Sequence, residues 1–347
     1  MRNPSTASFL SLAAAVALAT AGCSYPPQSA LHLPEQPLAA PADVEHKDGQ
    51  FEGVHQTRLY EQSWRPRGEP RAAVVLVHGL KDHSGRYQAL AERLAQQGFA
   101  VHAFDLRGHG RSEGMRVWTD AFDDYVEDLA LFVDHVRAAE PGRPVLLFGH
   151  SMGGAIATLY TLAKKPDLKG LALSGAALDV DVSGAVVGGT RLINALSPNA
   201  EVFQLDLKLF SRDPSVVAAG AADPLVFQPP APARTAAELL RAIHRIREHM
   251  EEMGTPLLVM HGEADKVTPP QGSRDLVERA SSKDKTLKIY PGAFHDLLHD
   301  SDKEQVTTDL VKWMSDHAPA VATPPAAAPV NPPAPVAPPA GAAQPAM

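Results

Sequence analysis

PVLLFGHSMGGAIA (residues 144–157) sets an apolar run ahead of a serine that has glycines on either side. Val145–Phe148 reads as a buried strand, and AIATLYTLAKK (155–165) has helical spacing. Gly149, His150, Ser151, Met152 and Gly153 therefore meet the pattern G-x-S-x-G inside the strand–turn–helix context that a nucleophile elbow requires. So sharp a turn forces the serine into a strained backbone conformation, and its neighbours must lack side chains that would collide with strand or helix. The serine oxygen then projects from the top of a sheet. The Met152 amide lies at the start of the new helix, where backbone donors have no intrahelical partner. The plainer alternative is a glycine-rich turn with an incidental serine, and only the rest of the chain separates the two.

The chain has 347 residues, a formal charge of −8 and 44% hydrophobic residues, enough for one large globular domain. An acidic balance without a basic stripe gives no electrostatic footprint for nucleic acid. The ends differ from the middle. Between Arg2 and Glu35 there is no charged side chain, and Phe9 to Ala21 is apolar but short for a permanent membrane helix, so residues 1–22 read as a secretory signal. The signal ends at ATAGC, whose Cys23 is the only cysteine. That ending resembles a bacterial lipoprotein signal, and it implies lipid attachment at Cys23, with Thr20 standing where an aliphatic residue is usual. Ser24 after the cysteine points to the outer membrane of a bacterial envelope. Residues 23–48 read as a Pro/Ala/Gln-rich tether, and 318–347, with ten prolines and no charged side chain, as a disordered tail.

Between them, 49–317 reads as an α/β domain with a mostly parallel central sheet flanked by helices. Strands are expected at 72–77, 100–105, 145–148, 170–174, 256–261 and 286–290, with helices near 86–97, 121–139, after the serine turn over 155–165, between the last two strands, and near 303–317. GQFEGV and TRLYEQSW read as an antiparallel hairpin at the sheet edge. Strand alternation fails from about 176 to 235, an insertion over the strand ends, where open α/β sheets bind ligands.

If Ser151 is a nucleophile it needs a base and an orienting carboxylate, delivered from loops after later strands. HGEADKVTP places Asp265 four residues past the strand at 256–261, and PGAFHD places His295 just after the strand at 286–290. The chain order Ser, Asp, His is that of α/β-hydrolases. Glu263, His299 and Asp296 are the nearest rivals, the last two expected in solvent-facing or capping roles. After the strand at 72–77, the amide of Leu80 is placed to face the serine as a second oxyanion donor beside Met152. His78 and His109 are expected to pack turns.

HGLKDHSGRY, DLRGHGRSEG, GHSMGGAIA, SRDPSV, ADPLV, GEADKVTPP and KTLKIYPGAFH, in this order, resemble the monoacylglycerol lipase family of α/β-hydrolases over about residues 49–317. Asp82 stands where that family usually has Glu. The resemblance implies an esterase for single-chain lipids, with catalytic Ser151, Asp265 and His295, and needing no metal or organic cofactor. It makes the insertion a lid whose Val186, Leu192, Ile193, Leu196, Leu205, Leu207, Leu209 and Phe210 either line an acyl tunnel or pack the lid down. Arg191, Lys208 and Arg212 are the lid cations available to a charged head group. Lysophospholipase, general carboxylesterase, aminopeptidase and a non-catalytic envelope scaffold are the rival readings. Partners implied are a lipophilic ester and, through Cys23, a membrane; oligomeric state is not legible.

Overall fold

The computed structural model describes residue 41 and residues 43–180 and 183–320. The signal, Cys23, nearly all of the tether before residue 43 and the tail beyond residue 320 lie outside the described residues.

In chain order, β1 (Val44–Glu52) and β2 (Arg58–Pro66) form a hairpin, followed by β3 (Ala72–Val77), α1 (Gln88–Gln96), β4 (Phe99–Phe104) and α2 (Phe122–Ala139). β5 (Val145–His150) feeds α3 (Met152–Lys164), then β6 (Gly170–Ser174). The next segment holds α4 (Gly184–Leu196), β7 (Glu201–Phe203), α5 (Pro214–Ala222) and β8 (Ala231–Pro232). α6 (Ala233–His249), β9 (Leu257–Gly262), α7 (Pro270–Arg279), β10 (Lys285–Tyr290) and α8 (Lys303–Asp316) complete the fold.

Eight strands form one sheet in the order β1-β2-β4-β3-β5-β6-β9-β10. The hairpin joins antiparallel at the β4 edge, and every pair from β4 to β10 is parallel. β3, β4, β5, β6 and β9 are buried along their whole length, which explains their unbroken apolar runs: helices cover both faces. α1 and α8 pack on one face, and α2, α3 and α6 on the other. The order of pairing reverses at β3, which has β4 on one side and β5 on the other, so the loops after β3 and β5 flank the crevice where such sheets take ligands.

The structure departs from the sequence expectations in three places. The first strand begins at Val44, inside the stretch read as tether, because Val44 is buried and His46 stacks on Trp64 with ring centroids 4.9 Å apart. The insertion contains a small β7–β8 ladder as well as helices. α6 was not anticipated, although Ala242, Ile243 and Ile246 recur at helical spacing and are buried.

Candidate active site

Ser151 sits between β5 and α3 with φ 53° and ψ −121°, the strained conformation expected of an elbow. A Cβ on Gly153 would lie 2.3 Å from the carbonyl oxygens of Val77 and His78, and one on Gly79 would lie 3.1 Å from the Ser151 Cβ. The elbow and the loop after β3 can approach this closely only because both positions lack side chains.

From the other half of the sheet, the loop after β10 brings His295 Nε2 to 2.9 Å from Ser151 Oγ, and the loop after β9 brings Asp265 Oδ2 to 2.7 Å from His295 Nδ1. With Nδ1–H donating to the carboxylate, Nε2 is free to accept the serine proton. Both His295 and Asp265 are buried. Asp265 Oδ1 accepts from the amides of Val267 (2.8 Å) and Thr268 (3.0 Å). The Thr268 hydroxyl lies 2.9 Å from Asp265 Oδ2 and 3.1 Å from His295 Nδ1. Burial alone would raise the Asp265 carboxyl, but the His295 charge and hydrogen bonds from His261 and His295 outweigh it and hold the group well below the usual carboxylate range. His261 is fully buried and donates from Nε2 to the Thr268 carbonyl oxygen at 2.9 Å, fixing the loop that presents Asp265.

The loop after β3 is pinned by His78, whose Nδ1–H donates to the Gly79 carbonyl oxygen (2.8 Å) while Nε2 accepts from the Leu106 amide (2.9 Å). Burial lowers its pKa, so the ring stays neutral and keeps both roles. The amides of Leu80 and Met152 are taken up by no protein acceptor among the described residues. His109 also stays neutral, its pKa pushed down to about 3 by burial and by His78. His150 is pushed down to about 4 by burial and by His295, and its Nδ1–H donates to the Ser174 carbonyl oxygen at 2.9 Å.

The rivals have other duties. Glu263 accepts from the Gly292 amide at 3.2 Å. Asp296 and His299, expected to face solvent or cap, belong instead to a buried clamp. Arg86 donates to Asp82 Oδ1 (3.1 Å) and Asp296 Oδ2 (2.7 Å), while the Tyr87 hydroxyl donates to Asp82 Oδ2 (3.0 Å). His299 donates to Asp296 Oδ1 (2.8 Å) and to the Arg86 carbonyl oxygen (2.9 Å). Burial disfavours a charged His299, but Asp296 overcomes it and the pKa is raised. The clamp joins the loop after β3 to the loop that carries His295, and the shorter Asp82 still makes the supporting contacts.

Residues 68–302 match the family described as "Serine aminopeptidase, S33". The chain belongs to that family. It is an α/β-hydrolase of the carboxylic ester hydrolase class. The chain is 37% identical to the monoacylglycerol lipase of Mycolicibacterium smegmatis over 77% of its own length and 96% of that protein. It is 33% identical to the human monoglyceride lipase, covering 86% of this chain and 97% of that protein. Among solved structures, the Paleococcus ferrophilus monoacylglycerol lipase superposes with a TM-score of 0.67 at 32% identity, covering 75% of this chain and 99% of that one.

In this hydrolase a cavity lies between the insertion and the loop after β3, lined by Leu80, Lys81, Leu205, Leu207, Phe210 and Phe227 among others. Phe210 stands edge-on to His295 with ring centroids 5.0 Å apart, so the insertion reaches the Ser151–His295–Asp265 chain itself. Leu192 and Leu196, grouped with these in the sequence, are instead 61% and 78% exposed on α4. Of the three cations of the insertion, Arg212 is held by Asp300 (2.8 Å) and Asp302 (2.6 Å), and Arg191 and Lys208 are exposed. No group of three His, Cys, Asp or Glu side chains suited to a metal occurs among the described residues.

Proposed function

We propose that this hydrolase cleaves monoacylglycerols through an acyl-enzyme. The observation that carries the proposal is the Ser151–His295–Asp265 hydrogen-bonded chain beside a mostly apolar cavity. His295 Nε2 takes the Ser151 proton as Oγ attacks the ester carbonyl carbon. The carbonyl oxygen, now negative, is received by the amides of Leu80 and Met152, while Asp265 stabilises the imidazolium. The tetrahedral intermediate collapses, His295 returns the proton to the leaving glycerol oxygen, and the acyl group stays on Ser151. Water, deprotonated by His295, repeats the sequence and releases the fatty acid.

The similar proteins named above, two of them monoacylglycerol lipases and one a monoglyceride lipase, support this substrate. The segment from α4 to β8 serves as the lid over the acyl chain. An aminopeptidase reading is disfavoured by Lys81 in the cavity wall, because its ammonium would repel a substrate's free amine, and by Arg86, which already occupies Asp82 and Asp296. The deciding experiment is a chain-length series of monoglycerides beside amino-acid anilides. Each methylene buried should add about 0.8 kcal/mol of binding until the cavity fills, so kcat/KM should climb with chain length and then level off. Rapid anilide cleavage without glyceride turnover would overturn the assignment in favour of the peptidase. A protein that fails to react with a fluorophosphonate would instead be the scaffold.

Location is proposed on the sequence alone: Cys23 carries the lipid, and the protein sits in the bacterial outer membrane. No helix among the described residues is long and apolar enough to cross a membrane. Cys23→Ser should shift the protein from the membrane fraction to the soluble one. Wild-type protein recovered unmodified and wholly soluble would refute the anchor.

A further inference from the structure

Two imidazoles approach Asp265, and only one of them has a part in the proposed mechanism. His261, near the end of β9 and fully buried, places Nε2 3.1 Å from Asp265 Oδ2, the same oxygen that takes the His295 Nδ1 proton at 2.7 Å. Nε2 also faces the Thr268 carbonyl oxygen at 2.9 Å, so with two acceptors before it this nitrogen carries the ring proton. Nδ1 lies 2.7 Å from the hydroxyl of Ser273, a fully buried residue of α7, and accepts its proton. That contact fixes the tautomer from the other side. Ser273, His261, Asp265, His295 and Ser151 thus form one hydrogen-bonded chain from α7 to the elbow.

A carboxylate's hold on any one donor weakens as more donors share its charge. Asp265 is crowded: Oδ1 takes two backbone amides, and Oδ2 takes the Thr268 hydroxyl at 2.9 Å as well as both rings. Burial raises the Asp265 carboxyl, and the His295 charge and the hydrogen bond from His261 are the two largest influences bringing it down. A less basic Asp265 stabilises a proton on His295 less, which leaves more of His295 free to act as base in mildly acidic solution.

We infer that His261 is a positioning residue that tunes the base: by donating to Oδ2 it draws charge away from the His295 contact and extends the working range of His295 toward lower pH. This rests on the acyl-enzyme mechanism proposed above. The other charged and titratable groups around the pair stay constant when His261 is changed. His150 faces His295 from β5 with ring centroids 4.9 Å apart and is kept uncharged by burial, its pKa pushed down to about 4. Asp296, next to His295, is tied to Arg86 and His299, and Glu263 and Lys266 in the Asp265 loop are exposed.

The test is kcat/KM against pH with p-nitrophenyl butyrate, an ester whose turnover does not depend on the glyceride assignment. His261→Phe should move the acidic limb up by about half to one pH unit, because Oδ2 is then left to His295. It should also lower kcat on the plateau about tenfold as the loop after β9 loosens, with KM within about twofold. His261→Gln, whose amide can still donate, should return the limb toward its wild-type position. Ser273→Ala removes only the hydroxyl that fixes the tautomer, so it should shift the limb the same way by less, and it decides the matter if the phenylalanine variant does not fold. In proton NMR, the His295 Nδ1–H resonance should move downfield in the variants as its bond to Asp265 strengthens. A purely structural role predicts the reverse signs: a slack loop weakens the His295–Asp265 contact, so the limb falls and the resonance moves upfield. That result, or an acidic limb unmoved in both His261→Phe and Ser273→Ala, would overturn the inference and leave the acyl-enzyme mechanism standing. A wild-type protein that turns over no ester at all would overturn both.

Discussion

Ser151→Ala should lower kcat for monooleoylglycerol by about 10^4- to 10^6-fold, with near-ultraviolet circular dichroism unchanged. Under the proposed mechanism the loss is this large because serine, base and carboxylate act as one unit: without Oγ, neither the 2.9 Å contact to His295 nor the 2.7 Å contact behind it has a proton to move. The oxyanion amides and the cavity remain, so a small residual rate over water should persist. The variant should stay folded, since alanine occupies the same backbone and the elbow depends on close backbone approach around Gly153 and Gly79 rather than on the hydroxyl. Ester turnover within tenfold of wild type would remove Ser151 from the mechanism.

Asp265→Asn should cost about 10^4-fold at neutral pH. Oδ1 at this position accepts from two backbone amides, Val267 and Thr268, and an asparagine keeps those bonds only by turning its NH2 group toward His295. Nδ1 must then accept, the ring proton moves to Nε2, and the serine proton has nowhere to go. The same substitution changes the pH dependence of stability. Because the Asp265 carboxyl is depressed in the folded state, its contribution is complete above its unfolded value near 4 and is lost as pH falls through the folded value. The urea midpoints of wild type and Asp265→Asn should therefore converge on acidification below about pH 4. A constant gap would mean that the charge of Asp265 contributes nothing to folding.

The parts of this molecule legible in the sequence were those with local causes. Glycines at 149 and 153 announce a turn that side chains would block, and the apolar runs of β3 to β6 announce strands covered on both faces. Asp265 and His295 were legible because each follows a strand end by a few residues. Contacts that depend on where distant loops meet were not legible. Asp296 and His299 read as surface groups because nothing local reveals Arg86, whose partner Asp296 lies 210 residues away. His261 and Thr268 lay within a quoted motif, yet their work of holding Asp265 is visible only once β9 and its loop are folded. The residues of the insertion divided, with Phe210 against His295 and Leu192 and Leu196 turned outward, because helical periodicity fixes a face but not what that face meets.

The proposed nucleophile and its proposed base come from opposite ends of the domain's chain order. Ser151 and His295 are 144 residues apart, and the elbow, with the loop after β3 pressed against it, belongs to the half of the domain that leaves the ribosome first. β9 and β10 must then add to the free edge of β6 before a base reaches the serine. Under the proposed mechanism the growing chain is chemically silent until its last strand is in register, and any product truncated before β10 carries an armed-looking elbow with no means of firing it. Late closure of this non-local pairing also makes it a slow step of folding, so the onset of ester turnover during refolding would time the completion of the sheet.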